Sequence, residues 1–210
     1  MKQIVPYKTL KGALNALDNG GRFYNVFTKA GDEVITDSEL FRAAGIFSRK
    51  SHAFLFFELA LSDLSKADRD RVIGRLSPEL RSAYLRQRPK HTKIEVFEQS
   101  ARETKPVIVA GFPFFLEDKT RFSGFIMIPI CTGKVTTFTM IPIFDRFDVY
   151  EVYADSDLKG DKTIIATVRG SKRLASTMTT FGGIVKKLQF KDKSKKQHSL
   201  YVETLFYKVE

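Results

Sequence analysis

Tryptophan is absent from the 210 residues and cysteine occurs once, at Cys131. One thiol excludes an internal disulfide framework and any all-cysteine metal site. Histidine is nearly as scarce. His52, His91 and His198 lie far apart, and His52 is followed at helical spacing by Leu55 and Phe56 rather than by a second ligand. The local ligand pairs of a zinc site are therefore missing, and neither metal nor cofactor is expected. Apolar runs long enough to cross a membrane, about 18 residues, do not occur. The opening MKQIVPYKTLKGALNALDNGG lacks the apolar core of a signal peptide. A cytoplasmic protein without membrane insertion is the expectation. Phosphate-cradling glycine loops are missing too: Gly182-Gly183 stands alone, and Gly170-Ser171-Lys172 lacks the upstream glycine of a P-loop.

What is present is an ordinary globular composition. Hydrophobic residues make up 43% and charged residues 28%, a balance that argues against wholesale disorder. The length suits one large or two small domains and buries enough surface to fold without staples. Charge is the first asymmetry. Lys and Arg number 35 against 24 Asp and Glu, for a net +11. Residues 159–210 hold 12 basic and 4 acidic side chains, directly after a stretch, 105–158, with 5 and 7. Such an imbalance marks a surface that meets an anion, or simply a solvated lysine-rich face.

Periodicity divides the chain near the RETKP segment at 102–106. In the first half, 7–18 reads as a short helix stopped by Asn19-Gly20-Gly21. Arg22–Phe27 and Glu33–Thr36 read as a hairpin. Thr36 and Glu39 form a capping box. Ser51 is expected to cap a helix whose Phe54, Phe57, Leu61 and Leu64 repeat at helical spacing. Its apolar face is so wide that it belongs in the centre of the half. Ser65 and Ser77-Pro78 open two more helices. From Pro106 on, β-branched and aromatic runs predict strands at 107–111, 121–130, 135–143, 147–153, 163–169, 183–190 and 199–209. The fold expected is α+β, with a mainly helical segment 1–104 followed by an antiparallel β-barrel or sandwich at 105–210. An OB-type barrel is among the candidates, and the two segments pack as one unit or stand apart. FIMIPI at 125–130 and FTMIPI at 138–143 are near repeats whose prolines suit edges or bulges.

Motifs for chemistry are weak. Asp155, Asp157 and Gly160 match three positions of a calcium loop, but Lys159 and Ala166 stand where ligands belong, so a polar turn is expected. Asp145 and Asp148 would point to opposite faces of a strand. Two basic constellations compete. One is helical, with Arg81, Arg86 and Arg88, in the manner of a helix-turn-helix or as a solvated face. The other combines Arg169, Lys172, Arg173, Lys186, Lys187, Lys193 and Lys195 with Tyr201 and Tyr207. Lysines that track phosphates beside aromatics on which bases stack are what sequence-tolerant binding of single-stranded nucleic acid, or another polyanion, requires. A non-catalytic module of that kind is the sharpest reading. The alternatives are a protein-interaction or scaffold domain, or an enzyme with a site assembled from distant residues.

Overall fold

Side-chain caps set where most helices begin in the computed structural model. Thr9 opens α1 (Leu10–Leu17) by accepting from the Gly12 amide. Thr36 opens α2 (Asp37–Ala44) with the predicted capping box: its hydroxyl accepts the Glu39 amide at 3.4 Å, and the Glu39 carboxylate accepts the Thr36 amide at 2.8 Å. Glu39 is buried there and also accepts from the Gly20 amide, which ties the end of α1 to the start of α2. Ser65 and Ser77 cap α4 (Lys66–Gly74) and α5 (Pro78–Gln87), the latter with Pro78 in its first turn. Helix α3 (Lys50–Ala60) departs from expectation. Arg49 holds the cap position without a side-chain hydrogen bond, and Ser51 is already inside the first turn.

The structure describes residues 1–21, 30–46, 49–132, 135–168, 173–187 and 200–210, and over 117–145 the backbone alone. Arg22–Phe27 of the expected early hairpin lies outside these residues. Its partner Glu33–Thr36 is no hairpin strand: Ile35 makes a single bridge to Leu76 and is buried between the helices.

Helix α3 is the central element of the helical half, as its all-round apolar surface predicts. Every residue from Ala53 to Leu61 is buried. Phe54 and Phe57 meet the Tyr84 ring of α5 edge-on, with centroids 5.4 and 5.3 Å apart. On the other side Leu55 and Leu59 lie over Gly182. A Cβ there would come within 3.0 Å of Leu59 Cδ1, so the glycine lets helix and sheet approach closely.

That sheet is built from β3 (Pro106–Thr132), β4 (Val135–Tyr153), β5 (Lys162–Val168), β6 (Thr179–Lys187) and β7 (Leu200–Val209). The order β3-β4-β5-β7-β6, with β6 returning to β3, closes a five-stranded barrel. Short strands β1 (Lys2–Gln3) and β2 (Lys90–His91) add to β7 and β3 in parallel. The barrel is mixed rather than wholly antiparallel, because β5 and β7 run parallel through Ile165–Val202 and Ala166–Glu203. Parallel neighbours need a crossover, and here strand β6 supplies it instead of a helix. This order with its one parallel contact is a Greek-key arrangement of the OB type.

Two strands are longer than their sequence breaks suggest. Strand β3 runs through the expected strands 107–111 and 121–130 with β-bulges at Leu116 and Ser123, and β4 runs without a bulge through 135–143 and 147–153. From Glu117 to Arg146 the two pair only with each other among the described residues, a ribbon about 50 Å long at the usual rise per residue. The near repeats face one another in it, Phe125 opposite Pro142 and Pro129 opposite Phe138. In a two-stranded ribbon both strands are edges, where proline is tolerated.

Inside the barrel lie Val109, Val152, Ile165, Phe181 and Val202, with Ile94 and Phe97 packed among them from the 3-10 turn Ile94–Val96 and the short α6 (Phe97–Ser100). A bulge at Leu205, opposite Gly182-Gly183, switches the faces of β7. Val202 and Tyr207 pack with the barrel interior, while Phe206 joins the helical core.

Candidate functional site

Helix α5 ends where proline ends it. Arg88, preceding Pro89, is extended at ψ 130°, as residues before proline are. The chain then runs along Val107–Ile108 as β2, carrying Lys90 to the start of β3. Arg86, Arg88 and Lys90 on this side, with Arg102 and Lys105 on the segment entering β3, line a cleft of about 690 Å³. No carboxylate lines it among the described residues, and Arg86, Lys90, Arg102 and Lys105 make no ion pair there. Arg81, the remaining arginine of the helical constellation, lines a different cavity beside Leu76 and Pro78.

Several groups at the cleft are left unsatisfied or strained. Thr92 is buried, and its amide donates to the Ile108 carbonyl at 2.9 Å, yet its Oγ1 has no hydrogen-bond partner among the described residues. The buried Oγ of Ser100 is likewise unpaired. Thr104, also on the lining, sits at φ +66°, a left-handed conformation uncommon for a β-branched residue. It is held there because its amide donates to the Val185 carbonyl at 2.8 Å, while the Val185 amide donates back to Lys105. Ser51 brings the uncapped first turn of α3 to the same lining. The next residue, His52, has its pKa lowered by burial and then by the Arg49 charge; Glu203 opposes the shift and Lys186 adds to it.

Arg88 is anchored from behind. Its Nε and the Tyr84 hydroxyl both donate to Glu58, the one charged residue of the buried α3 run. His91 Nε2 stands 3.8 Å from the second Glu58 oxygen, beyond hydrogen-bond range. Burial pushes the Glu58 carboxyl up, but the facing His91, Arg88 and Tyr84 groups more than offset this and hold it at about 2. Burial and the Glu58 carboxylate together push the Tyr84 hydroxyl up. Glu58 and His91 border a second cavity of about 540 Å³ that also takes in Lys93, Glu95, Lys208 and Glu210. That lining mixes both signs of charge and does not resemble the cleft.

The residues of the C-terminal constellation fall into four groups. Arg169, Lys172, Lys193 and Lys195 lie outside the described residues. Arg173 is exposed, with its guanidinium 3.8 Å from the centre of the Phe115 ring. Phe115 in turn meets Tyr150 edge-on, and the Tyr150 hydroxyl accepts the Leu174 amide at 3.2 Å. Lys186, Lys187 and Tyr201 sit at the paired ends of β6 and β7, Lys186 opposite Tyr201 and 3.5 Å from Glu203. Tyr207 is half-buried against the barrel interior, its hydroxyl 3.3 Å from Gln3 Oε1.

Backbone pairing joins the third group to the cleft. Val185, which bonds Thr104 and Lys105 on the cleft wall, directly precedes Lys186 and Lys187. Two constellations that compete in the sequence thus flank one region. Arg102, Lys105, Thr92, Ser100 and Thr104 had no signal in the sequence beyond the two cations of a segment that reads as a linker. Among the described residues no group of three or more His, Cys, Asp and Glu converges. Asp155–Gly160 is a turn in which Asp157 accepts the Lys159 amide. No described helix is long and apolar enough to cross a membrane. No protein-family model matches the chain, and no curated protein matches it in sequence.

Proposed function

We propose that the protein is a non-catalytic binding module for single-stranded nucleic acid, without strong sequence preference, anchored at the cleft between α5, β2 and the start of β3. The observation that carries this reading is the gathering of Arg86, Lys90, Arg102 and Lys105, beside the Glu58-paired Arg88, around one cleft whose lining holds no carboxylate among the described residues. The four cations other than Arg88 make no ion pair at the cleft, so an anion from outside stabilises them, and nucleic acid releases bound counterions when it supplies one. Lys186 and Lys187 prolong the cationic track along the end of β6, with Tyr201 beside them as a stacking surface. A flexible single strand can bend its phosphates into a cleft, whereas a rigid duplex presents them on a cylinder.

Fluorescence anisotropy with labelled oligonucleotides tests this. Wild type is expected to bind at 50 mM salt and to lose roughly a hundredfold in affinity by 200 mM, as about five phosphate contacts would require. Arg102→Ala with Lys105→Ala removes two contacts and should flatten the slope of log affinity against log salt by about 1.4. Tyr201→Ala should weaken binding by about 1–3 kcal/mol at unchanged slope, since stacking rather than charge is lost. Absence of binding at 50 mM salt, or tighter binding of duplex than of single strand, overturns the reading. An unchanged slope in the double variant overturns the cleft as its anchor.

A further inference from the structure

We infer that the long β3–β4 ribbon is a dimerisation arm, on which the ribbon of a second copy of this chain stacks face to face. The inference is independent of the nucleic-acid reading and uses no residue of the cleft.

Its starting point is a ribbon without a neighbour. From Glu117 to Arg146 the two strands pair only with each other among the described residues. A lone two-stranded hairpin is marginally stable in water and gains stability when a face is packed. Residues 122–144 of this one hold a single charged residue, Lys134, among mostly apolar ones. Lipid does not suit such a hairpin, because both outer edges would leave a row of backbone groups unpaired. Each strand also carries a proline, Pro129 or Pro142, which blunts its edge against strand addition. The remaining way to cover the ribbon is over a face.

Register decides which face, and what fits it. Cross-strand partners share a face, and successive pairs alternate between the two. Phe125 with Pro142, Met127 with Met140 and Pro129 with Phe138 therefore lie on one face, whereas Ile126 with Ile141 and Ile128 with Thr139 lie on the other. Paired antiparallel, FIMIPI and FTMIPI give the ribbon a local two-fold axis through the Met127–Met140 pair. That axis exchanges Phe125 with Phe138 and Pro129 with Pro142. The one mismatch of the repeats, Ile126 against Thr139, falls on the second face, so the first keeps the symmetry. A closed dimer needs such a self-complementary patch. A second copy stacked with its methionine pair over the first sets every phenylalanine position over a proline position.

Charge decides the direction. Met127 lies midway between Phe122 and Thr132, so an antiparallel stack overlaps along residues 122–132, the uncharged stretch of β3. Asp118, Lys119 and Arg121 lie just beyond the overlap. The bases of the two ribbons are then about 60 Å apart, several times the screening length of about 8 Å in physiological salt. Two chains of net charge +11 thus meet without bringing their barrels together, whereas a parallel stack sets them side by side. The shared footprint, about 35 by 10 Å on each copy, is small for a specific interface, so the dimer is reversible and concentration-dependent.

Sedimentation equilibrium of the full chain without nucleic acid, from about 1 to about 200 µM, tests this. Wild type is expected to pass from monomer to dimer within that range. Met127→Lys with Met140→Lys sets like charges against each other at the centre and should weaken association at least about a hundredfold. Met127→Glu with Met140→Glu should do the same. An equimolar mixture of the two double variants should recover dimers, a result that neither a misfolded ribbon nor an unrelated partner produces. Small-angle X-ray scattering of the dimer should show two centres of mass at least about 60 Å apart. A wild type that stays monomeric at the highest concentration, a mixture no more associated than its components, or a dimer that survives both lysines overturns the dimerisation arm. Centres lying side by side overturn the antiparallel stack.

Discussion

Replacing Glu58 by glutamine removes the only charge from the buried run of α3 and should convert a pH-dependent part of the stability into a pH-independent one. In the folded protein this carboxyl is held at about 2, against an ordinary 4.5, by His91, Arg88 and Tyr84 working against its burial. Its side chain is only 4% exposed, so solvent screening takes little from the effect. A depression of this size corresponds to about 3 kcal/mol of preference for the ionised form in the folded state. Because the folded value lies below the unfolded one, the contribution is complete above about pH 4.5 and is lost as pH falls toward 2. Glu58→Gln should therefore be less stable than wild type by about 3 kcal/mol at pH 7, with the gap closing below about 1 kcal/mol at pH 2. Urea denaturation followed by circular dichroism at pH 7, 5, 3.5 and 2 measures the gap directly. Asp63, also held at about 2, first by the Lys208 and Lys8 hydrogen bonds, steepens the acid limb of both proteins equally and cancels in the difference. A gap that stays the same from pH 7 to pH 2 would refute the assignment and leave Glu58 as a hydrogen-bonding spacer whose charge is immaterial.

Phe57→Ala should cost about 3–5 kcal/mol, because a fully buried ring wedged against Tyr84 leaves a cavity its neighbours cannot fill; a melting temperature equal to wild type would place α3 outside the core. Thr104→Gly should stabilise the protein by about 1 kcal/mol, since glycine adopts φ +66° without the strain a β-branched residue carries. A loss of stability in that variant would mean that the threonine side chain supports the cleft wall by contacts of its own.

The helix starts were legible because each depends on residues three apart. Thr36 and Glu39 announce their box, and Ser65 and Ser77 need only the amide one turn on. Ser51 fooled the same logic: Arg49 took the cap position and left the serine inside the turn. The place where strands begin was legible from composition, but their connections were not. The stretch around the Leu116 bulge looks in sequence like a break between strands, and the parallel meeting of β5 with β7 has no local signature at all. The cleft was illegible for a related reason. Its cations come from the end of α5, from β2 and from the segment before β3, and its orphaned hydroxyls become visible only once burial is known. Glu58 was in plain view within an apolar helix, yet its partners Tyr84 and Arg88 arrive from a different element.

The pairing of β1 with β7 sets a timetable for folding. Gln3 lies beside Tyr207, 204 residues away, and the Ile4 amide bonds the Tyr207 carbonyl at 2.7 Å. Phe206 is part of the core that also holds Phe54, Phe57 and Leu59. At a synthesis rate of about 5–20 residues per second, roughly 10–30 s separate the making of α3 from the making of β7. Throughout that interval the most apolar helix of the chain has its neighbours α2 and α5 but lacks the sheet that covers its other side. The nascent helical half thus waits with a hydrophobic face open, and its yield in a cell depends on how well that face is shielded until the last strand arrives.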